Sequence, residues 1–140
     1  IHRPQQRSGE FTLIDDAYNA NPASMTAALN VLAGMQPAKG GKRVAVLGDM
    51  LELGTKTAEF HESLADLASM KSIAQVHAVG PIMSSLWNAL DGEKRGQCAH
   101  APDQINVEAI ASPGDVVLVK GSNASGVSRL VDALKALGKR

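Results

Sequence analysis

An α/β fold is what this sequence predicts: a three-layer sandwich with a mostly parallel sheet of about six strands and helices on both faces. The N-terminal strand is left free to run antiparallel. Two observations carry the prediction. Apolar runs of strand length alternate with segments of helical periodicity. Polar residues collect in loops that follow strands, where open parallel sheets hold ligands. Alternating strands and helices favour a parallel sheet with right-handed crossovers. The 140 residues suit one domain, 1–140, with one core.

Residues 11–15 read as the first strand. Asn21-Pro22 then supplies an N-cap and a proline at the first helical position, where a missing N–H costs nothing. A helix over 23–35 follows, with Met25, Ala28, Leu29, Leu32 and Met35 on one face. The run "RVAVL" at 43–47 is almost continuously apolar, as a strand buried on both faces must be. Residues 56–70 read as a helix with Phe60, Leu64, Leu67 and Ala68 inward. "QVHAV" at 75–79 is a strand ending at Gly80-Pro81, and 82–90 a short helix carrying Ile82, Leu86 and Leu90. A weaker strand, "QCAHA", and a weaker helix over 103–111 come next. "VVLVK" at 116–120 is the clearest strand, and 125–137 a final helix with Val127, Leu130, Val131, Leu134 and Leu137 inward.

Composition excludes several classes of function. Lys plus Arg equals Asp plus Glu at 14 each, so no basic face is set aside for nucleic acid. No apolar stretch approaches the ~18 residues of a membrane span, so membrane insertion is not expected. Aromatics are 3%, so the core is aliphatic. The single cysteine, Cys98, fits a reducing compartment and reads as a small core residue. His2, His61, His77 and His100 lack metal-ligand spacing, so no metal site is expected, and His61 reads as solvated or structural.

Three loops carry candidate chemistry. "DDAYNANP" at 15–22 holds more polar groups than a cap requires. Asn21 suffices for the cap, leaving Asp15, Asp16 and Asn19 to hold a sugar hydroxyl, an amine, a metal-bound water or a base, with Tyr18 as a stacking face. "GDMLELG" places Asp49 and Glu52 after a buried strand, where two acids can bind a cation or amine or simply solvate the loop. "KGSNASG" brings Lys120, Gly121 and Ser122 to the start of the last helix. Gly121 and Gly126 have phosphate-loop spacing, but Val127 stands where the lysine belongs, so no self-contained triphosphate site is present. The segment reads either as an anion-binding turn or as an ordinary strand-to-helix turn.

In order and at matching separations, "DDAYNANPASMTAALNVL", "GKRVAVLGDMLELG" and "VLVKGS" resemble the C-terminal, Rossmann-like domain of the bacterial Mur ligases over nearly the whole chain. "D-x-Y-N-A-N-P-x-S-M" with "G-D-M-x-E-L-G" indicates the branch that adds a dipeptide. The D-N-P-R pattern of the diaminopimelate-adding branch is absent. The resemblance implies a three-domain cytoplasmic enzyme of peptidoglycan synthesis, with an N-terminal UDP-substrate domain and a central ATPase domain outside this chain. It implies ATP-dependent joining of D-Ala-D-Ala to UDP-MurNAc-tripeptide through an acyl phosphate. ATP and Mg2+ would be held mainly by the central domain, this domain's partner on closure, and the chain alone is expected to be inactive.

By the same resemblance, Asp16 faces the reaction centre as the catalytic residue, and Tyr18, Asn19 and Asn21 contact the nucleotide. Asp49, Glu52, Lys120, Gly121 and Ser122 face the dipeptide or the domain interface. Asn123 departs from the arginine that commonly follows "VKGS", and Arg3 follows His2 rather than glycine. Two other readings stay open: a non-catalytic α/β module binding an anion or nucleotide, and the C-terminal domain of a folylpolyglutamate synthetase-like ligase.

Overall fold

The computed structural model describes residues 3, 5, 6 and 9–137. Two short strands, β1 (Gln5–Gln6) and β2 (Gly9–Glu10), form an antiparallel ribbon. The main sheet contains β3 (Thr12–Asp16), β4 (Arg43–Gly48), β5 (Gln75–Val79), β6 (Arg95–Ala99) and β7 (Val116–Lys120). Their spatial order is β3-β7-β4-β5-β6, and every pairing is parallel. The expected sheet of about six strands therefore has five among the described residues, and its N-terminal strand runs parallel. The antiparallel pairing is confined to the separate ribbon.

The pleat sorts the core into two layers, because successive strand residues face opposite sides. Ala45, Leu47, Val76, Ala78, Val116 and Leu118 pack against α1 (Pro22–Gly34), α3 (Ser84–Ala89) and the segment 64–73. Val44, Val46, Val79, Val117 and Val119 pack against α4 (Ser128–Leu137) and the 3₁₀ turns that precede β7. From β4 the chain steps outward to β5 and β6, then returns to insert β7 between β3 and β4. The change of direction coincides with a change of face, as crossovers of one hand require. The loops leaving β4 and β7 diverge to opposite faces, a topological switch point of the kind where open α/β sheets hold ligands.

The opposite end of the sheet is tied off for stability. Asp115, 1% exposed, accepts from the backbone N–H groups of Lys42 and Ser112 and from the Lys42 ammonium, each at 2.9 Å.

Two helical predictions need correction. Over 56–70 the chain forms α2 (Thr57–Ser63), then 3₁₀ turns at Leu64–Asp66 and Ala68–Ser72 separated by an extended Leu67. Beyond Ser63 three residues per turn replace 3.6, so the predicted inward face slips there: Leu64 is buried and Leu67 half-buried, but Ala68 is exposed, and within α2 the face is turned by one residue. Phe60 is exposed at 37%, while its neighbour His61 is fully buried. Residues 103–111 hold two 3₁₀ turns, Pro102–Gln104 and Val107–Ala109, instead of a helix. Cys98 is exposed on β6 rather than in the core. His2 lies outside the described residues.

Candidate functional site

The "DDAYNANP" turn is built by three separate sets of bonds. Asn21 is the N-cap of α1. Its side-chain oxygen accepts from Ser24 N–H at 2.9 Å, and its own N–H donates to Ser24 Oγ at 3.1 Å, a reciprocal capping box. Asp15 Oδ1 accepts from Ala17 N–H at 3.3 Å and tightens the strand exit. Lys120, at the end of neighbouring β7, donates to Asp16 Oδ2 at 2.9 Å and to the Asn19 carbonyl at 2.8 Å. Its side chain is 2% exposed, so a buried ammonium fixes both ends of the turn. Ala17 and Ala20 point inward, leaving Tyr18, 69% exposed, and the Asn19 side chain facing solvent.

The "GDMLELG" loop divides its two acids. Asp49 is buried, and its carboxylate accepts from Met83 N–H at 2.7 Å and Ile82 N–H at 3.4 Å, bracing the entry to α3. Gly80 makes room for it. A Cβ there would lie 2.5 Å from the Asp49 carboxylate, and the backbone has φ +112°. Met50 N–H donates to His61 Nε2 at 2.9 Å, and His61 Nδ1 lies 2.7 Å from the Thr57 carbonyl. The ring therefore ties α2 to this loop, which fits the structural reading of His61. Glu52 is exposed in the left-handed region at φ 61°.

The "KGSNASG" segment closes on itself. Ser122 Oγ accepts from Ser125 N–H, and Ser125 Oγ donates to the Ser122 carbonyl at 2.6 Å. The N–H groups of Gly126 and Arg129 also donate to the Asn123 and Gly126 carbonyls of the segment. These bonds occupy the Ser125 and Gly126 amides, two of the donors that an anion-binding turn here could offer. Gly121 and Gly48 back onto Ser125 and Val127 so closely that a Cβ on either would lie 2.7 Å from Ser125 Oγ. Ser122 N–H donates to the Asp49 carbonyl at 3.1 Å, fastening this loop to the one after β4.

Of the predicted residues, Asp16, Asn19 and Lys120 meet directly, and Asp49 meets Ser122 through the backbone. Asn21, Gly121 and Ser122 carry structural contacts, and Glu52 stands apart from both groups. Lys120 reaches Asp16 rather than open space, a partnership that no local sequence pattern reveals. The structure adds a cleft of about 310 Å3 lined by Asp49, Gly80, His100, Pro102, Ser125 and Arg129, among others. His100 and Arg129 were not anticipated as site residues. The sequence reading placed His100 inside the weaker strand "QCAHA", whereas β6 ends at Ala99 and leaves His100 in the loop that follows. No three His, Cys, Asp or Glu side chains converge among the described residues. No helix among them is long and apolar enough to cross a membrane.

Comparison with known proteins identifies the family and the fold. Residues 2–123 match the profile of the family described as Mur ligase, glutamate ligase domain. The chain is 36% identical to a Mycobacterium tuberculosis UDP-N-acetylmuramoyl-tripeptide–D-alanyl-D-alanine ligase, over 96% of this chain and 31% of that protein. It is 34% identical to the Escherichia coli ligase of the same name, over 96% of this chain and 29% of that one. The chain thus spans about three-tenths of the length of these relatives. Among solved structures, it superposes on the MurF ligase from Thermotoga maritima in complex with ADP with a TM-score of 0.76 at 25% identity. That match covers 99% of this chain and 30% of the other. A MurF structure from Acinetobacter baumannii gives a TM-score of 0.72 at 31% identity, covering 96% of this chain and 30% of the other.

Proposed function

This chain belongs to the Mur ligase family, and from that premise we propose that it is the C-terminal domain of an ATP-dependent ligase that joins D-Ala-D-Ala to UDP-MurNAc-tripeptide. The fold is that of the MurF structures, and the relatives carry the name of the dipeptide-adding enzyme. The observation that carries the reading is the Lys120 anchor. A buried ammonium holds Asp16 and the Asn19 carbonyl in place, so that Tyr18 and the Asn19 side chain face outward from the sheet's ligand end.

In the proposed enzyme, ATP phosphorylates the tripeptide carboxylate, and the dipeptide amine attacks the acyl phosphate with loss of phosphate. Such a reaction needs positioning and exclusion of water more than a nucleophile from the protein. Closure of this domain over a central ATPase domain supplies both. Tyr18 offers a ring face to the nucleotide base, and the Asn19 amide can donate and accept at the base or ribose. Asp16, half-exposed beside Lys120, presents the other carboxylate oxygen to the reaction centre. Asn21 supports this wall as a cap. Mg2+ would accompany ATP in the central domain, where it would neutralise phosphate charge. The use of ATP and a UDP-linked precursor places the reaction in the cytoplasm.

A ligase assay on the 140-residue chain and on the longer polypeptide that carries it tests the reading. With ATP, UDP-MurNAc-tripeptide and D-Ala-D-Ala, only the longer polypeptide should release ADP. Ligation by the chain alone would show that the nucleotide site is complete here and overturn the division of labour.

A further inference from the structure

One peptide unit at the ligand end of the sheet is held from both sides. The Asp49 carbonyl accepts from Ser122 N–H at 3.1 Å, and Met50 N–H, in the same peptide unit, donates to His61 Nε2 at 2.9 Å. The unit is planar and rigid, so the two bonds together fix its rotation. The residues on either side add to the hold. The Asp49 carboxylate accepts from Met83 N–H at 2.7 Å, and the Met50 side chain is fully buried. His61 serves here in one state. An N–H only donates, so Nε2 accepts, and the proton of the neutral ring sits on Nδ1 beside the Thr57 carbonyl.

The next two residues depend on this peptide for their direction. Leu51 lines the cleft, and Glu52 is exposed in the left-handed region at φ 61°. A non-glycine residue keeps that conformation where its surroundings impose it. Among the described residues no hydrogen bond reaches Leu51 or Glu52 themselves. The imposition therefore comes through the chain, from the Asp49–Met50 peptide. A turned peptide would lose both of its bonds, release the left-handed turn and move Leu51 out of the cleft wall.

We propose that His61 is a positioning residue of the ligation. Fully buried on α2, it touches no substrate. It locks the Asp49–Met50 peptide through Met50 N–H, and the locked peptide sets where Leu51 and Glu52 stand toward the amine substrate. Ser122 holds the other side of the same peptide, so α2 and the loop after β7 act on the loop after β4 together. The inference rests on the ligase reading above and gives His61 a part in the reaction beyond tying α2 to the sheet.

His61→Asn and His61→Gln in the longer ligase separate the two ring contacts. The shorter carboxamide falls near the Nδ1 position, keeps a donor for the Thr57 carbonyl and leaves Met50 N–H without an acceptor. The longer one reaches the Nε2 position and accepts from Met50 N–H. His61→Asn should raise KM for D-Ala-D-Ala about tenfold with KM for ATP unmoved, as a displaced substrate-facing loop requires. His61→Gln should bring KM for the dipeptide back to within about twofold of wild type. KM does not depend on how much of the enzyme is folded, so a loss of stability alone does not produce this split. Should His61→Asn fail to fold, His61→Leu, apolar and equally without an acceptor, puts the same question. A folded variant without the acceptor whose dipeptide KM is that of the wild type overturns the positioning role and leaves the ligase reading standing. So does an equal rise in His61→Asn and His61→Gln. A wild type that shows no dipeptide-dependent ADP release overturns both.

Discussion

Lys120 and Asp16 are separated by 104 residues of chain and by 2.9 Å in space. The burial of the two partners is unequal: the Lys120 side chain is 2% exposed and that of Asp16 is 47% exposed. The strands that bear them pair in register, with Asp16 opposite Lys120 at the end of the ladder. A buried ammonium at this point therefore controls the shape of a solvent-facing turn.

That inequality predicts an asymmetric pair of variants. Asp16→Ala leaves a buried ammonium with only the Asn19 carbonyl and should cost about 2 kcal/mol, below the usual figure for a broken buried pair because Asp16 reaches water. Lys120→Met removes the charge along with its need for a partner and should cost about 1 kcal/mol. The double variant should be more stable than the sum of the two losses by about 1 kcal/mol. Urea denaturation of the three variants measures this, and strict additivity would show that the two groups are not coupled. Asp16→Asn, which keeps an acceptor, is therefore the cleaner variant for kinetics.

Gly80 and Asp49 give a second prediction. A Cβ at residue 80 would meet the Asp49 carboxylate at 2.5 Å on a backbone at φ +112°. Gly80→Ala should cost about 3 kcal/mol or more, combining overlap with backbone strain. Asp49→Ala should cost about 1–3 kcal/mol by stranding the buried Met83 N–H. Thermal unfolding checks both, and a Gly80→Ala melting point equal to wild type would contradict the close approach.

His77 predicts a pH dependence. It is 1% exposed on β5, and Gln97 N–H donates to its Nδ1 at 2.8 Å. Nε2, which carries the proton in the neutral ring, has no hydrogen-bond partner among the described residues. Burial, with a smaller contribution from the Lys42 charge, lowers its pKa from 6.5 to about 4. Between those values the unfolded chain binds a proton that the folded chain does not. Stability is therefore full above pH 6.5, falls as pH drops toward 4, and levels off below it. The loss by the lower limit is about 3 kcal/mol at about 1.4 kcal/mol per pKa unit. His77→Gln, which keeps an acceptor for Gln97, should flatten the profile in urea titrations across this range. An unchanged slope would assign the acid sensitivity to other groups.

Much of the fold was legible because parallel strands buried on both faces announce themselves as apolar runs. Residues 43–47, 75–79 and 116–120 all became strands, extended at most by one residue. The Asn21-Pro22 helix start was legible because capping is a local matter. The helix read over 56–70 was misjudged beyond Ser63, where 3₁₀ turns change the period that the reading relied on. The Lys120–Asp16 bond and the cleft at Arg129 join residues far apart in sequence. Such contacts depend on strand order, which periodicity does not encode. The surplus polarity of "DDAYNANP" was visible, but the division of its groups between cap, anchor and outward face was not.

The most direct test of the central claim is the steady-state ADP release of the longer ligase carrying Asn19→Ala. The variant keeps the backbone carbonyl that Lys120 holds, so the turn and the melting temperature should be retained. It removes only the outward amide, and kcat/KM for ATP should fall about tenfold, the loss of roughly one hydrogen bond in the transition state. A folded variant with wild-type kcat/KM for ATP would contradict the claim that this turn forms a wall of the nucleotide site.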